Sequence, residues 1–302
     1  MEKIIEKLLL LLNVIMIAFI LGLLFHPSVG IFHHLTSSLT DKADEPLNTE
    51  SRTFITPQIT TTSTVGQNAV HDISFASSPD SFRAPVRMTE EAHKEEKRCY
   101  LTFDDGPSRI TLSILDILKK YNAKATFFII GNTLTEENRE IVEQIISDGH
   151  LIGLHANNHN YADFYKDDSS WLADYEMLFS RLKNEYNITP CLYRFPGGSA
   201  CTYMNGKGGD YVKIMKEKGF SCFDWNVSGE DAVGNPTPCD IYENVLKDAL
   251  KYNTPIVLLH DSSVSDATVT ALPLILEKLT KEGYVFPTLE KRKEYIFRNT
   301  RK

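Results

Sequence analysis

From Arg98 to about residue 290 the chain repeats one pattern, a short apolar run followed by a longer stretch with apolar side chains at helical spacing. The runs are CYLTF (Cys99 to Phe103), ATFFII (Ala125 to Ile130), LIGL (Leu151 to Leu154), CLYRF (Cys191 to Phe195), FSCFDW (Phe220 to Trp225), PIVLL (Pro255 to Leu259) and YVF (Tyr284 to Phe286). Several are apolar at successive positions, as a strand covered on both faces requires. Between them, Leu112, Leu115 and Leu118 share a face of a helix expected over Thr111 to Tyr121. Ile141, Ile145 and Ile146 do so over Glu136 to Ser147, and Leu172, Tyr175, Phe179 and Leu182 over Trp171 to Tyr186. Further helices are expected near Tyr211 to Lys218, Ile241 to Lys251 and Ala271 to Lys281. Seven strands alternating with six helices predict a parallel α/β architecture, either a barrel or an open doubly wound sheet.

The region before this domain is organised differently. Leu8 to Phe25 runs without a charge, about the length a helix needs to cross a bilayer core. Lys3 and Lys7 precede it and no Lys or Arg follows until Lys42, so residues 1–7 are expected on the cytoplasmic side and the rest outside. The expected layout is a single-pass transmembrane anchor over 8–26, with secretion after cleavage near Ser28-Val29-Gly30 as the alternative. Residues 27–95 are rich in Ser, Thr, Pro, Asp and Glu and hold no sustained period, which predicts a disordered linker. The formal net charge of −8 offers no basic field for phosphates and argues against nucleic acid as a partner. No protein partner can be inferred. Five cysteines without a C-x-x-C pair exclude a zinc ribbon or a disulfide scaffold. They read as small, partly buried thiols, with Cys191 and Cys201 able to bridge in an oxidising compartment.

The polar residues gather where such a fold places its chemistry. Asp104 and Asp105 follow the first strand, His155 and His159 the third; Arg194 ends the fourth, Asp224 and Trp225 the fifth, and His260 with Asp261 the sixth. In parallel α/β folds the carboxyl ends of the strands share one face, and ligands bind there. Two imidazoles at i, i+4 with a carboxylate make a three-ligand set for zinc or a similar divalent ion that leaves a position open for water. A second carboxylate can act as base and a further histidine as acid, which together describe hydrolysis of an amide or ester. Singly each element has a plain structural reading, since Asp-Asp-Gly-Pro also makes a turn. Their recurrence at equivalent strand ends is what points to one site.

The set TFDDGPS (Thr102 to Ser108), HANNH (His155 to His159), RFPGG (Arg194 to Gly198), FDW (Phe223 to Trp225) and VLLHD (Val257 to Asp261) resembles that of the polysaccharide deacetylases of the NodB-homology type. That family is also called carbohydrate esterase family four, and the resemblance extends to its membrane-anchored peptidoglycan N-acetylglucosamine deacetylases. It covers the whole globular part, residues 96–290, and leaves 291–302 as a basic tail. The resemblance implies a distorted (β/α) barrel of about seven parallel strands. It implies Asp104 as general base, Asp105, His155 and His159 as metal ligands, and Arg194 as the group that orients Asp104. It implies the Gly197 N–H as an oxyanion donor, His260 as general acid supported by Asp224, and Trp225 and Leu258 as the acetyl pocket. The cofactor implied is a divalent ion, Zn²⁺ first, with Co²⁺, Mn²⁺, Ni²⁺ or Fe²⁺ as substitutes. Two positions depart from the family pattern: Ala156 stands where Ser or Thr is common, and Gly197 where an aromatic residue often follows the proline.

An outward-facing tether sets such a site beside cell-wall polymer. The N-acetylglucosamine of peptidoglycan is therefore the expected substrate, with chitin-type or O-acetylated glycans, a small amide, or binding to the wall without catalysis as alternatives. Tyr161, Tyr165 and Trp225 are candidates for stacking on sugar rings.

Overall fold

The computed structural model describes residues 82–84 and 96–297. The expected cytoplasmic N-terminus 1–7, the transmembrane span 8–26 and most of the linker lie outside them, as does the tail beyond residue 297. Among the described residues, no helix is long and apolar enough to cross a membrane.

The strands are β1 (Lys97–Arg98), β2 (Tyr100–Asp104), β3 (Ala125–Ile130), β4 (Leu151–Ala156), β5 (Leu192–Tyr193), β6 (Ser221–Cys222), β7 (Val227–Ser228), β8 (Ile256–His260) and β9 (Tyr284–Val285). The helices are α1 (Thr111–Lys120), α2 (Arg139–Ser147), the single turn α3 (Tyr161–Phe164), α4 (Ser170–Tyr186), α5 (Gly208–Glu217), α6 (Pro238–Ala249) and α7 (Asp266–Lys281). Seven strands form one parallel sheet in the order β6-β5-β4-β3-β2-β8-β7, curled into a half-barrel. The central strands are buried along almost their whole length, β2 at every position and β3 at all but its last, which is why their sequences read as continuous apolar runs.

The membership of the sheet differs from the sequence expectation in one strand. YVF does not enter it: β9 pairs in parallel with β1 as a separate two-stranded ribbon. The seventh strand is β7, which lies against β8 with Val227 opposite Val257. Two residues with one polar side chain carry no periodic signal, so only their partner across the sheet identifies them.

The helices lie where the spacing places them, with adjusted faces. In α1 the buried stripe is Thr111, Ile114, Leu115 and Leu118, the i, i+3, i+4, i+7 pattern, and Leu112 points to solvent. In α2 Val142 takes the core position expected of Ile146, which is exposed. α6 begins with a reciprocal capping box: the Thr237 hydroxyl accepts from the Asp240 N–H, and the Asp240 carboxylate accepts from the Thr237 N–H, with Pro238 in the first turn. α4 packs through Trp171, whose ring stacks on Tyr211 of α5 at 4.5 Å and meets Phe195 edge-on at 5.8 Å. Each fully buried side chain of this size stabilises the fold by roughly 1.5–3 kcal/mol.

Both edges of the expected domain extend further than the sequence implied. Phe82, assigned to the linker, is buried between Phe179 and Phe220 with centroids 5.2 and 4.9 Å away, and the Ala84 N–H donates to the Lys218 carbonyl at 3.1 Å. At the other end, the tail residues up to 297 run beside β6. The Glu294 carboxylate accepts from the Cys222 N–H (3.0 Å), the Tyr295 N–H donates to the Cys222 carbonyl (3.2 Å), and the Asp224 N–H donates to the Tyr295 carbonyl (2.7 Å). All five cysteines are free thiols, so Cys191 and Cys201 are not bridged.

Candidate active site

The carboxyl ends of β2, β3, β4 and β8 bring the first elements together. The Asp105 N–H donates to the Phe128 carbonyl (3.2 Å) and the Asp261 N–H to the Asp104 carbonyl (3.1 Å), which ties the Asp-Asp-Gly-Pro turn to the strands on either side. Asp105 holds a left-handed backbone (φ 73°), an uncommon conformation for a residue with a side chain that recurs at functional sites. His159, also left-handed (φ 54°), follows β4 and turns back towards His155, with ring centroids 5.0 Å apart.

Asp105 Oδ1 lies 3.4 Å from Nε2 of His155 and 3.3 Å from Nε2 of His159. One donor atom from each of the three residues falls within 4.8 Å of the others. Asp105 Oδ1 is buried and has no hydrogen-bond partner, an orphaned acceptor that a cation would satisfy. His155 Nδ1 sits 2.9 Å from the Arg194 carbonyl, which makes Nδ1 the protonated nitrogen and leaves the Nε2 lone pair facing the cluster. Burial, and then the neighbouring His159, hold the His155 pKa down at about 3, so the ring is neutral as metal ligation requires. The donor set fits a divalent ion.

The histidine turn has its own brace. Ala156 supplies no hydroxyl, but the Asp174 carboxylate on α4 accepts the N–H of Asn157, and burial raises its pKa. Spacing could not reveal this residue, because nothing in α4 marks Asp174 apart from other exposed-looking acids.

Asp104 occupies a different environment from its neighbour. Arg194, wholly buried, donates from Nη1 to Asp104 Oδ1 (2.8 Å) and to Thr102 Oγ1 (2.8 Å), from Nε to the Phe223 carbonyl (2.7 Å) and from Nη2 to the Asp224 carbonyl (3.3 Å). The guanidinium also lies 4.3 Å from the Phe128 ring centroid and 5.5 Å from that of Trp225. Asp104 Oδ2 remains on the cluster side, 3.8 Å from His155 Nε2. Burial raises the Asp104 pKa, opposed by the charge of Arg194. Thr102 enters the sequence reading only as part of a motif, yet it accepts one of the guanidinium's four hydrogen bonds.

His260 is the Cα partner of Asp104 across the β2–β8 ladder. Leu258, two residues earlier in the same strand, shares its face. The carboxylate behind His260 is Asp231, not Asp224. His260 Nδ1 lies 2.8 Å from Asp231 Oδ1, and the His260 N–H and the Thr268 hydroxyl donate to Asp231 Oδ2 at 2.8 and 2.7 Å. Asp224 is engaged elsewhere: its Oδ1 accepts from the Ser199 N–H (2.9 Å), and its Oδ2 from the Ser199 hydroxyl and the Phe297 N–H. The error has a physical origin, because β7 returns the chain to the sheet beside β8 and so delivers the following loop, with Asp231, to His260. For His260 burial lowers the pKa, but the hydrogen bond and charge of Asp231, with Asp104 and Asp105 beyond, outweigh it and carry it up to about 9.

Gly197 and Gly198 make the turn after β5, both left-handed (φ 74° and 79°). A Cβ on Gly197 would lie 3.2 Å from the Tyr161 hydroxyl, and Tyr161 meets His159 edge-on at 5.4 Å, so this turn borders the imidazole cluster.

The chain is similar to several known proteins. Residues 91–221 match the family model for polysaccharide deacetylase. A peptidoglycan-N-acetylglucosamine deacetylase of Bacillus cereus is 36% identical over 214 residues, covering 69% of this chain and 93% of the relative. A second one from the same organism is 35% identical over 198 residues, covering 64% of this chain and 69% of the relative. Among solved structures, the catalytic domain of peptidoglycan N-acetylglucosamine deacetylase from Eubacterium rectale is similar with a TM-score of 0.63 and 28% identity, over 70% of this chain and 98% of that one. A polysaccharide deacetylase from Bacillus cereus is similar with a TM-score of 0.57 and 32% identity, over 64% of this chain and 92% of that one. The chain belongs to the polysaccharide deacetylase family, carbohydrate esterase family four, and is a hydrolase of that family.

Proposed function

We propose that the chain removes N-acetyl groups from the N-acetylglucosamine of peptidoglycan, using a divalent ion of which Zn²⁺ is the first choice. One observation carries this reading: a three-donor cluster with an orphaned carboxylate oxygen stands beside an arginine-held carboxylate and a carboxylate-backed imidazole. The substrate is supported by the relatives named above. Attachment to a cell membrane with the domain outside is supported by the charge-free run Leu8 to Phe25 behind Lys3 and Lys7; a cleaved signal would give a secreted form.

Asp105, His155 and His159 would hold the ion. A divalent ion held there would polarise the acetyl carbonyl and acidify a water. Arg194 fixes Asp104 by Oδ1, so Oδ2 is the atom free to take the proton of the attacking water. The Gly197 N–H is the donor for charge developing on the carbonyl oxygen. His260, oriented through Nδ1 by Asp231, presents Nε2 as the acid. As the carbon–nitrogen bond breaks, its proton goes to the departing nitrogen, giving a free amine and acetic acid, which ionises to acetate in water. The proton on Asp104 is lost to solvent, and His260 regains one from it. Trp225 and Leu258 are the apolar residues assigned to the acetyl methyl.

The direct test is acetate release from N-acetylglucosamine oligomers and purified peptidoglycan. Activity is expected to fall to background after chelation and return with Zn²⁺, Co²⁺ or Mn²⁺. Full activity in protein shown metal-free by elemental analysis would sink the reading.

The acid also has a pH signature. Because His260 is held up to about 9, kcat is expected to decline only as pH rises through that region. In Asp231→Asn the desolvation of His260 acts without its counter-charge, so the alkaline limb should move to lower pH. A pH–rate profile whose limb stays in place would remove Asp231 from this role.

A further inference from the structure

Gly197 follows Pro196 and brings no side chain to the site. The next residue, Gly198, is bare as well, and the space beside it is filled from far along the chain. A Cβ on Gly198 would lie 2.5 Å from Phe297 Cε2. The Phe297 ring also meets the Trp225 indole edge-on, with centroids 4.9 Å apart. Trp225 in turn flanks Arg194, the residue that holds Asp104. Two rings thus border the two-glycine turn, Tyr161 at Gly197 and Phe297 at Gly198.

Phe297 is fixed through its backbone. Its N–H donates to Asp224 Oδ2 at 2.6 Å, with Ser199 Oγ 3.2 Å away. Asp224 is fully buried at a strand end on the site face, and no step of the reaction uses it. Burying a carboxylate is costly unless it is fully hydrogen-bonded, and this one is occupied with Ser199 and with the main chain of Phe297. The clasp presents a half-buried aromatic ring beside Trp225, the residue assigned to the acetyl methyl, rather than sealing it in the core.

Resting on the deacetylase reading above, we propose that Phe297 is a specificity-determining residue, the aromatic wall against which a pyranose ring of an N-acetylhexosamine chain lies. The apolar C–H face of a sugar matches an aromatic face, and Trp225, packed edge-on against Phe297, sets this ring next to the residue assigned to the acetyl methyl.

Binding tests this without relying on turnover. The chain has two tryptophans, and Trp171 is fully buried, so a change in indole emission on titration with an N-acetylglucosamine oligomer reports on Trp225. Phe297→Ala is expected to weaken oligomer binding about three- to tenfold, with KM raised by the same factor and kcat within about twofold. Phe297→Tyr should stay within about twofold of the parent in both readouts. A merely structural role would lower the melting temperature of Phe297→Ala without changing the affinity of the folded protein, and that result overturns the proposal. So does a Tyr variant that loses as much as the Ala variant, or a parent protein that binds no oligomer. If Phe297→Ala does not fold, Phe297→Leu keeps apolar bulk without an aromatic face and carries the same expectation. A parent that binds oligomer yet releases no acetate refutes the catalytic reading, while the wall is still judged by the affinity change.

Discussion

Asp104→Asn is expected to lose about 10²- to 10⁴-fold in kcat, the usual contribution of a positioned general base, while its bound metal stays stoichiometric. The amide keeps the size of the carboxylate and can still accept from Arg194 through its oxygen, but it cannot take a proton from water. The proposed ligand atoms belong to Asp105, His155 and His159, none of which is altered. Elemental analysis beside acetate-release kinetics checks both halves. If the variant loses its metal, Asp104 belongs to the coordinating set; if it keeps a parental rate, another group is the base. Burial raises the Asp104 pKa in the parent, so activity should fall on the acid side as this carboxylate is protonated, a limb that the variant lacks.

Arg194→Met is expected to remove activity and about 3–5 kcal/mol of stability together. The guanidinium is wholly buried and donates to Asp104, Thr102 and the carbonyls of Phe223 and Asp224, linking β2 to the ends of β5 and β6. Methionine fills similar space but leaves a buried carboxylate without its counter-ion and two carbonyls without donors. Arg194→Lys should rescue little, since a single ammonium cannot reproduce the planar fork. Urea denaturation with linear extrapolation measures the loss. A Met variant within about 1 kcal/mol of the parent would show that the strand ends are held by other contacts.

Much of this site could be read before any coordinates, for a reason visible in the strands. β2, β4 and β8 are largely apolar up to their ends, so the polar residues there stand out, and parallel topology brings those ends together. The same rule fails where strands shrink to two residues. Val227–Ser228 carries no signal, and with it the position of Asp231 is illegible; the family resemblance implies Asp224 as the support of His260, where the structure places Asp231. Tyr284–Val285 has the apolar signal but joins β1, whose Lys97 and Arg98 look like any surface pair. Phe82 and Phe297 were hidden differently. Each lies in a stretch whose average composition is polar, and each is recruited by aromatic neighbours that only folding supplies.

The half-barrel ends at β6, and an unpaired strand border invites a neighbouring molecule to add a strand of its own. Glu294 and Tyr295 already occupy that border through the Cys222 amide and carbonyl, as Phe297 reaches the catalytic face a few residues later. One short stretch of chain therefore covers a sheet border and, on the wall proposal, also supplies the aromatic ring beside Trp225. A nick ahead of Glu294 would leave the metal donors intact, yet yield molecules prone to stack edge to edge.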